Sequence, residues 1–289
     1  MTSPEELQRE YYRTTANSYD NFHAEEEHFF ALGKLCDFIE ENNIGSVCDV
    51  GAGTGRAMEW IKQRFPDMLV KGVEPVESLR LRGYAKGISP EDLVEGDGYS
   101  LPFPDGAFDL VCEFAVLHHV RRPEQMVAEM SRVASRSVAI SDCNFMGQGP
   151  HVLRYIKVLI FILGLWPVAD WIKTRGKRYT YSEGDGIAYS YSVFQSLATL
   201  RRLWKTVTLR ATSGFRGSGS GLIVKAAHLL VIASGSRAPA PPSFAIGRSG
   251  FPDGGADRTA PPVEAVTPFG AEQGEITNQR FHRQGSQVG

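Results

Sequence analysis

The sequence predicts an α/β domain, a doubly wound and mostly parallel sheet of seven strands covered by helices on both faces. Three observations carry this prediction. Short apolar runs alternate with stretches of helical period through the first half of the chain. A glycine-rich turn joins the first apolar run to the helical stretch behind it, where open α/β sheets bind ligands. Two further strand-like runs come late, with no long helix required between them.

The elements follow in chain order. Residues 1–30 read as an N-terminal helical cap. The opening MTSPEELQREYYRTTANSYD has acids early and no apolar core, so a signal peptide is not expected. Strand-like runs occupy 46–50, 69–74, 93–97, 108–113 and 137–142, with acids in or at the end of the runs. Helix-like stretches at 57–65, 77–86 and 123–133 lie between them, and Pro123 suits a first helical turn. From about 147 to 203 the alternation is interrupted by apolar helical content and by YTYSEGDGIAYSYS, which we read as a lid over the strand ends. The apolar run 158–169 falls short of the roughly 18 residues a membrane span needs. It contains Gly164 and Pro167 and follows Arg154 and Lys157, so a buried or interfacial helix is expected. Strands at 206–211 and 228–233 flank a Gly/Ser-rich connection, and the last strand can insert antiparallel. The GSGSG within that connection lacks the Lys-Ser/Thr of a phosphate-binding Walker loop and reads as a connector. The main domain therefore covers 31–235. Over the last 55 residues Gly, Pro and Ser fill 20 positions and the four Phe show no period, so 236–289 is expected to be a disordered tail.

Composition narrows the function classes. The chain has 289 residues, 42% of them hydrophobic, enough for a sizeable core. Lys and Arg number 31 against 33 Asp and Glu, which excludes a chain-wide basic field for nucleic acid. Cys36, Cys48, Cys112 and Cys143 form no C-x-x-C pair, so neither a disulfide scaffold nor a zinc ribbon is indicated, and a reducing, cytoplasmic setting is the expectation. Between 151 and 210 ten Lys or Arg stand against three Asp or Glu, among several Tyr and Trp. Such a lid suits an anionic amphiphile or an aromatic acid and peripheral contact with a membrane. The alternative is an ordinary solvated face with the apolar part in the core.

The turn is Asp49-Val50-Gly51-Ala52-Gly53-Thr54-Gly55. Glycine permits positive φ and close approach of a ligand to the backbone. The helix start behind it presents free N–H groups and a positive dipole end. The dinucleotide fingerprint G-x-G-x-x-G would need a third glycine at position 56, which is Arg56. Asp49 beside the turn repels a pyrophosphate and suits a cationic group.

These residues carry a resemblance. VCDVGAGTGRAMEW resembles the first motif of class I S-adenosylmethionine-dependent methyltransferases. GVEP at 72–75 resembles their second-strand acidic end, and EGDGYSLPFPDGAFDLVCEFAVLHHV at 95–120 their third- and fourth-strand block, that of the methyltransferase type 11 group. The resemblance covers roughly 30–145. It implies a Rossmann-like methyltransferase fold, S-adenosylmethionine as cofactor and a small-molecule acceptor, a metabolite or a lipid-like compound. It further implies that Asp49, Gly51, Gly53 and Gly55 line the methionine moiety. Glu74 would accept from the ribose hydroxyls, and Asp97 with Gly98 and Tyr99 would meet the adenine. Glu113, Phe114 and Ala115 would lie near the adenosine and sulfonium, and Tyr19 on the leading helix would close the site. Asp109 reads as structural.

Methyl transfer from a sulfonium is an in-line displacement in which positioning supplies much of the acceleration, and a base helps when the acceptor must lose a proton. No metal-ligand spacing is recognised. His118 and His119 are the candidate bases, and adjacent residues cannot easily both face inward. The alternative is that the pair packs beneath the following helix and holds the site's shape. Asp142 and His151 rank below them. Glu113-Phe114-Ala115-Val116 replaces the N/D-P-P-Y pattern of amino-methyltransferases acting on nucleic-acid bases and glutamine side chains, which points away from those substrates. Two rival readings stand beside methyl transfer: an NAD(P)-dependent oxidoreductase and a non-catalytic cofactor-binding protein. The oligomeric state is not indicated.

Overall fold

The computed structural model describes residues 3–22, 26–212, 219 and 221–235. Helices α1 (Pro4–Thr15), α2 (Tyr19–Phe22) and α3 (Glu26–Glu41) precede β1 (Ser46–Val50). There follow α4 (Arg56–Arg64), β2 (Leu69–Val73), α5 (Glu77–Ala85), β3 (Leu93–Val94), β4 (Phe108–Phe114), α6 (Pro123–Val133) and β5 (Ala134–Cys143). An insertion carries α7 (His151–Ile162), α8 (Trp166–Lys173) and the hairpin β6 (Thr180–Ser182) with β7 (Gly186–Ala188). The domain closes with α9 (Val193–Leu203), β8 (Thr206–Ala211), α10 (Gly221–Lys225) and β9 (His228–Ser234).

The main sheet has seven strands in the order β3-β2-β1-β4-β5-β9-β8. β9 runs antiparallel to both its neighbours, and the other pairings are parallel. Alternate residues of the central strands feed two cores. Val47, Val70, Leu110 and Cys112 pack with Leu35, Ile39, Met58 and Ile61 of α3 and α4. Cys48, Val50 and Val111 pack with Met126, Met130, Leu197 and Leu200 of α6 and α9. Both faces being covered, the strands read as nearly continuous apolar runs.

Local chemistry sets the helix starts. Ser3 caps α1 and forms a reciprocal box with Glu6, and Ser192 does the same for α9 with Gln195. Pro123 occupies the first turn of α6. Asp109 is structural, as expected: its carboxylate accepts from Gly45 N–H at 2.8 Å.

Several expectations need correction. β3 spans only two residues, because the chain leaves the sheet and turns between Asp97 and Ser100, with Tyr99 N–H bonded to the Asp97 carboxylate. The cap boundary at 30 falls inside α3, whose Leu35, Cys36 and Ile39 belong to the core. The lid does not reach 203, because α9 buries Val193, Leu197 and Leu200 against α6 and the sheet and is a covering helix. The run 158–169 is no buried helix: Gly164, at φ +69°, divides it between α7 and α8, and neither helix buries a residue. Among the described residues no helix is long and apolar enough to cross a membrane. All four cysteines are free. The tail over 236–289 and most of the GSGSG connection lie outside the described residues.

Gly72 shows how tightly β2 is packed. A Cβ there would lie 2.4 Å from Met58 Sδ, 2.8 Å from Ala52 Cβ and 2.9 Å from Leu93 Cδ1. Gly72→Ala is expected to lower the denaturant midpoint, at an overpacking cost of about 1–3 kcal/mol, with the slope of the transition unchanged.

Candidate active site

The site forms at the carboxyl ends of β1, β2 and β4. Gly51, at φ +76°, donates its N–H to Val73 O at 2.8 Å and turns the chain away from the sheet. A Cβ on Gly51 would lie 2.5 Å from Val116 Cγ2, so only glycine fits that corner. Gly55, at φ +81°, starts α4.

Glu74 follows β2 and aims at this turn. Its carboxylate is buried, with Oε2 accepting from Gly53 N–H at 2.9 Å and Oε1 from Val76 N–H at 2.8 Å. Arg80 donates to the Glu74 carbonyl at 2.7 Å and pairs with Glu95 at 2.8 Å. Burial pushes the Glu74 carboxyl up to about 7, against the lowering effect of the two N–H donors. Asp49, on the neighbouring strand, is pushed up to about 7 by burial and then by Glu74.

A cavity with about 870 Å³ of unfilled space, part of it open to solvent, lies against these groups. Gly51, Glu74, Asp97, Gly98, Phe114 and Tyr19 line it, together with Ala115 and His119. Ala115 takes the left-handed conformation at φ +59°, a strained corner for a non-glycine residue at the end of β4. Of the remaining sequence candidates, Gly53 reaches the site through its N–H to Glu74 and lies under the Tyr19 hydroxyl. Asp49 and Gly55 are not in the cavity wall: Asp49 is buried below it, and Gly55 faces Ile88. The Asp97 carboxylate pairs with Arg9 at 3.0 Å.

The two histidines part company. His118 Nδ1 lies 2.8 Å from Asp142 Oδ1 and its Nε2 lies 3.3 Å from Asp185 Oδ2. Burial alone would lower its pKa, but Asp142 and Asp185 outweigh that and push it up to about 10, so His118 is an imidazolium at neutral pH. Asp142 is pulled down to about 2, since His118 overcomes its burial. Glu113, buried beside Asp142, is driven well above the carboxylate range by burial and then by that neighbour.

His119 faces the cavity. Its Nδ1 lies 2.6 Å from Ile187 O, its Nε2 3.0 Å from the Tyr12 hydroxyl and 3.4 Å from Asp185 Oδ1. Burial and then the adjacent His118 cation lower its pKa, so it is neutral. His151 is exposed at the start of α7 and takes no part. Nε2 of both histidines and the Asp185 carboxylate lie within 4.8 Å of one another, as do ligand atoms of His118, Asp142 and Cys143. In both triads the His118–carboxylate ion pairs account for the proximity.

Helix α1 covers the cavity and is fastened to the insertion. Gln8 donates to Asp185 O at 3.0 Å and accepts from Ile187 N–H, and Tyr11 donates to Glu183 O at 2.9 Å. Gln8, Arg9 and Tyr12 line the cavity. Sequence reasoning missed Gln8, Tyr12 and Asp185. The stretch from Tyr11 to Asp20 resembles the family's leading helix without singling out Tyr12, and nothing local pairs position 8 with 187.

Comparison with known proteins fits this geometry. Residues 48–139 match the family described as a methyltransferase domain. The chain is 28% identical over 169 residues to ajmaline N-methyltransferase of Rauvolfia serpentina, covering 48% of this chain and 58% of that protein. It is 32% identical over 101 residues to phosphatidylethanolamine N-methyltransferase of Cereibacter sphaeroides, covering 32% of this chain and 46% of that protein. The chain thus spans about half the length of these curated relatives. Magnesium protoporphyrin IX methyltransferase of Synechocystis PCC 6803, solved with bound S-adenosylmethionine, shares the fold at a TM-score of 0.52 and 14% identity, over 82% of this chain and 99% of that one. The family match begins inside β1 and ends inside β5, taking in the strand ends that wall the cavity, so the part of the chain that builds the site resembles a methyltransferase domain.

Proposed function

We propose that the chain transfers a methyl group from S-adenosylmethionine to an oxygen or nitrogen of a small amphipathic molecule, with His119 taking up the proton the acceptor gives off. The observation that carries the proposal is the Glu74 carboxylate, buried and turned onto the glycine corner.

The residues present fit that cofactor. Each Glu74 oxygen accepts one backbone N–H and keeps acceptor capacity for ribose hydroxyls. Gly51 leaves the corner open where a side chain would collide. Asp49 and Glu74 give the region negative character that suits a sulfonium. When bound, S-adenosylmethionine supplies an electrophilic methyl and a good leaving group.

The chain's own groups would hold and move the proton. The Ile187 carbonyl takes the Nδ1–H of His119, which leaves Nε2 to accept from the Tyr12 hydroxyl, through which a proton from the cavity would reach it. The His118 cation, with ring centroids 3.9 Å apart, keeps His119 unprotonated. A proton arriving on Nε2 lies 3.4 Å from the Asp185 carboxylate, which steadies the imidazolium. Tyr12 and Tyr19 on the cap exclude water from the same space. The small-molecule acceptor is supported by the relatives' names, which include ajmaline, phosphatidylethanolamine and tocopherol methyltransferases.

Two outcomes are expected. Asp49 and Glu74 titrate near pH 7, and a cation favours their ionised forms. Calorimetry should therefore show S-adenosylmethionine binding more tightly at pH 8 than at pH 6, with proton release and a weaker pH dependence for S-adenosylhomocysteine, which lacks the sulfonium charge. Glu74→Gln should weaken binding about 10- to 100-fold. With an acceptor found by screening metabolite extracts for S-adenosylhomocysteine release, His119→Asn should lower kcat about 100-fold or more. The acid limb of kcat/KM should lie below the ordinary imidazole pKa and move to higher pH in His118→Gln, because the neighbouring cation is gone. Cofactor binding without turnover on any extract would leave a binding protein and overturn the proposal.

A further inference from the structure

The insertion displays apolar side chains with nothing upon them. Neither α7 nor α8 buries a residue, and Leu153, Ile156, Leu159, Ile162, Leu163 and Trp171 are all exposed, Ile162 at 73%. Exposed apolar side chains in this number on two successive short helices mark an interaction surface.

Arg154, Lys157 and Asp170, charged residues of these helices, are bonded back to the chain. Arg154 donates to Gly149 O at 2.6 Å and to Val224 O at 3.1 Å. Lys157 donates to Phe145 O at 2.9 Å and Gln148 O at 3.0 Å. Asp170, the one acid of the two helices, accepts from Ser190 at 2.5 Å. The outward surface from 158 to 169 therefore carries no charge. At its edge stand Lys173, Arg175, Lys177 and Arg178, all exposed and without an acidic partner among the described residues.

We infer that α7 and α8 lie in the surface of an anionic lipid bilayer, apolar side inward, with the basic edge against the headgroups. The charge pattern selects this occupant: an uncharged apolar field ending in four cations is complementary to acyl chains beneath acidic headgroups. A helix of 12 residues is too short to span, so the pair rests in one leaflet. Trp171 and Tyr155 supply the amphipathic rings favoured at that depth. The groove formed by Trp166, Pro167, Asp170 and Arg178 includes Val120, which also lines the cavity, so α8 lies next to the site. The inference does not depend on methyl transfer.

Flotation of the full chain with vesicles tests it. Vesicles of phosphatidylcholine with about one third phosphatidylserine should carry the chain upward, and pure phosphatidylcholine should carry it at least about fivefold less well. The double variant I156E/I162E should bind about tenfold or more weakly, with unchanged circular dichroism and melting temperature, since both side chains are exposed. Brominated lipid should quench the wild-type chain more than W171F. Failure of the wild-type chain to float with anionic vesicles would overturn the inference. So would a dimer in sedimentation equilibrium that I156E/I162E dissolves, which would assign the face to a second copy.

Discussion

Four carboxylates lie buried at the ends of adjacent strands, and the chain must keep them from repelling one another. Asp49, Glu74, Glu113 and Asp142 are each 5% exposed or less. Desolvation penalises every charge in such a row, so the molecule distributes protons and counterions among them. Asp142 stays ionised because His118 stands against it. Glu113 has one oxygen on Val116 N–H and the other without a hydrogen-bond partner, a state that suits a protonated carboxyl. Asp49 and Glu74 sit between these extremes, with Arg56 drawing down the first and Arg80 the second too weakly to offset burial. A positively charged guest resolves that imbalance.

Strand register places the acids in one row. Asp49 stands opposite Gly72 of β2 and Cys112 of β4, and Glu113 opposite Ile140 of β5. Glu74 and Asp142 therefore come to the same edge of the sheet as Asp49 and Glu113. Gly72, which admits no side chain, lets Met58 and Ala52 close beneath the turn, so the corner that receives the guest rests on tightly packed apolar atoms. The geometry above the sheet is thus fixed by packing below it.

Much of this was legible in the chain. The central strands and the glycine corner are local features, continuous apolar runs and a G-x-G-x-G after a strand, and the structure places them within a few residues of expectation. Glu74, Asp97, Gly98 and Phe114 line the cavity because each ends or follows a strand that enters the sheet in parallel. β3 was overestimated because the apolar run 93–94 is followed by glycines at 96 and 98 that serve a turn. α9 was hidden inside a basic, aromatic stretch whose composition masks a helical period at 193, 197 and 200. Adjacent histidines carry no sign of which one faces inward; that depends on Asp142 and on Asp185, which arrives from a hairpin 66 residues downstream of His119. Tyr12 and Gln8 reach the site across more than a hundred residues, a distance over which no periodicity speaks.

The side chain of Gln8 behaves like one more residue of backbone beside β7, accepting from one peptide N–H and donating to the carbonyl two residues before it. The helix over the cavity and the hairpin beside His119 are therefore fastened to one another. Displacing α1 would at once take Tyr12 from His119 and release the strand whose Ile187 carbonyl holds that ring.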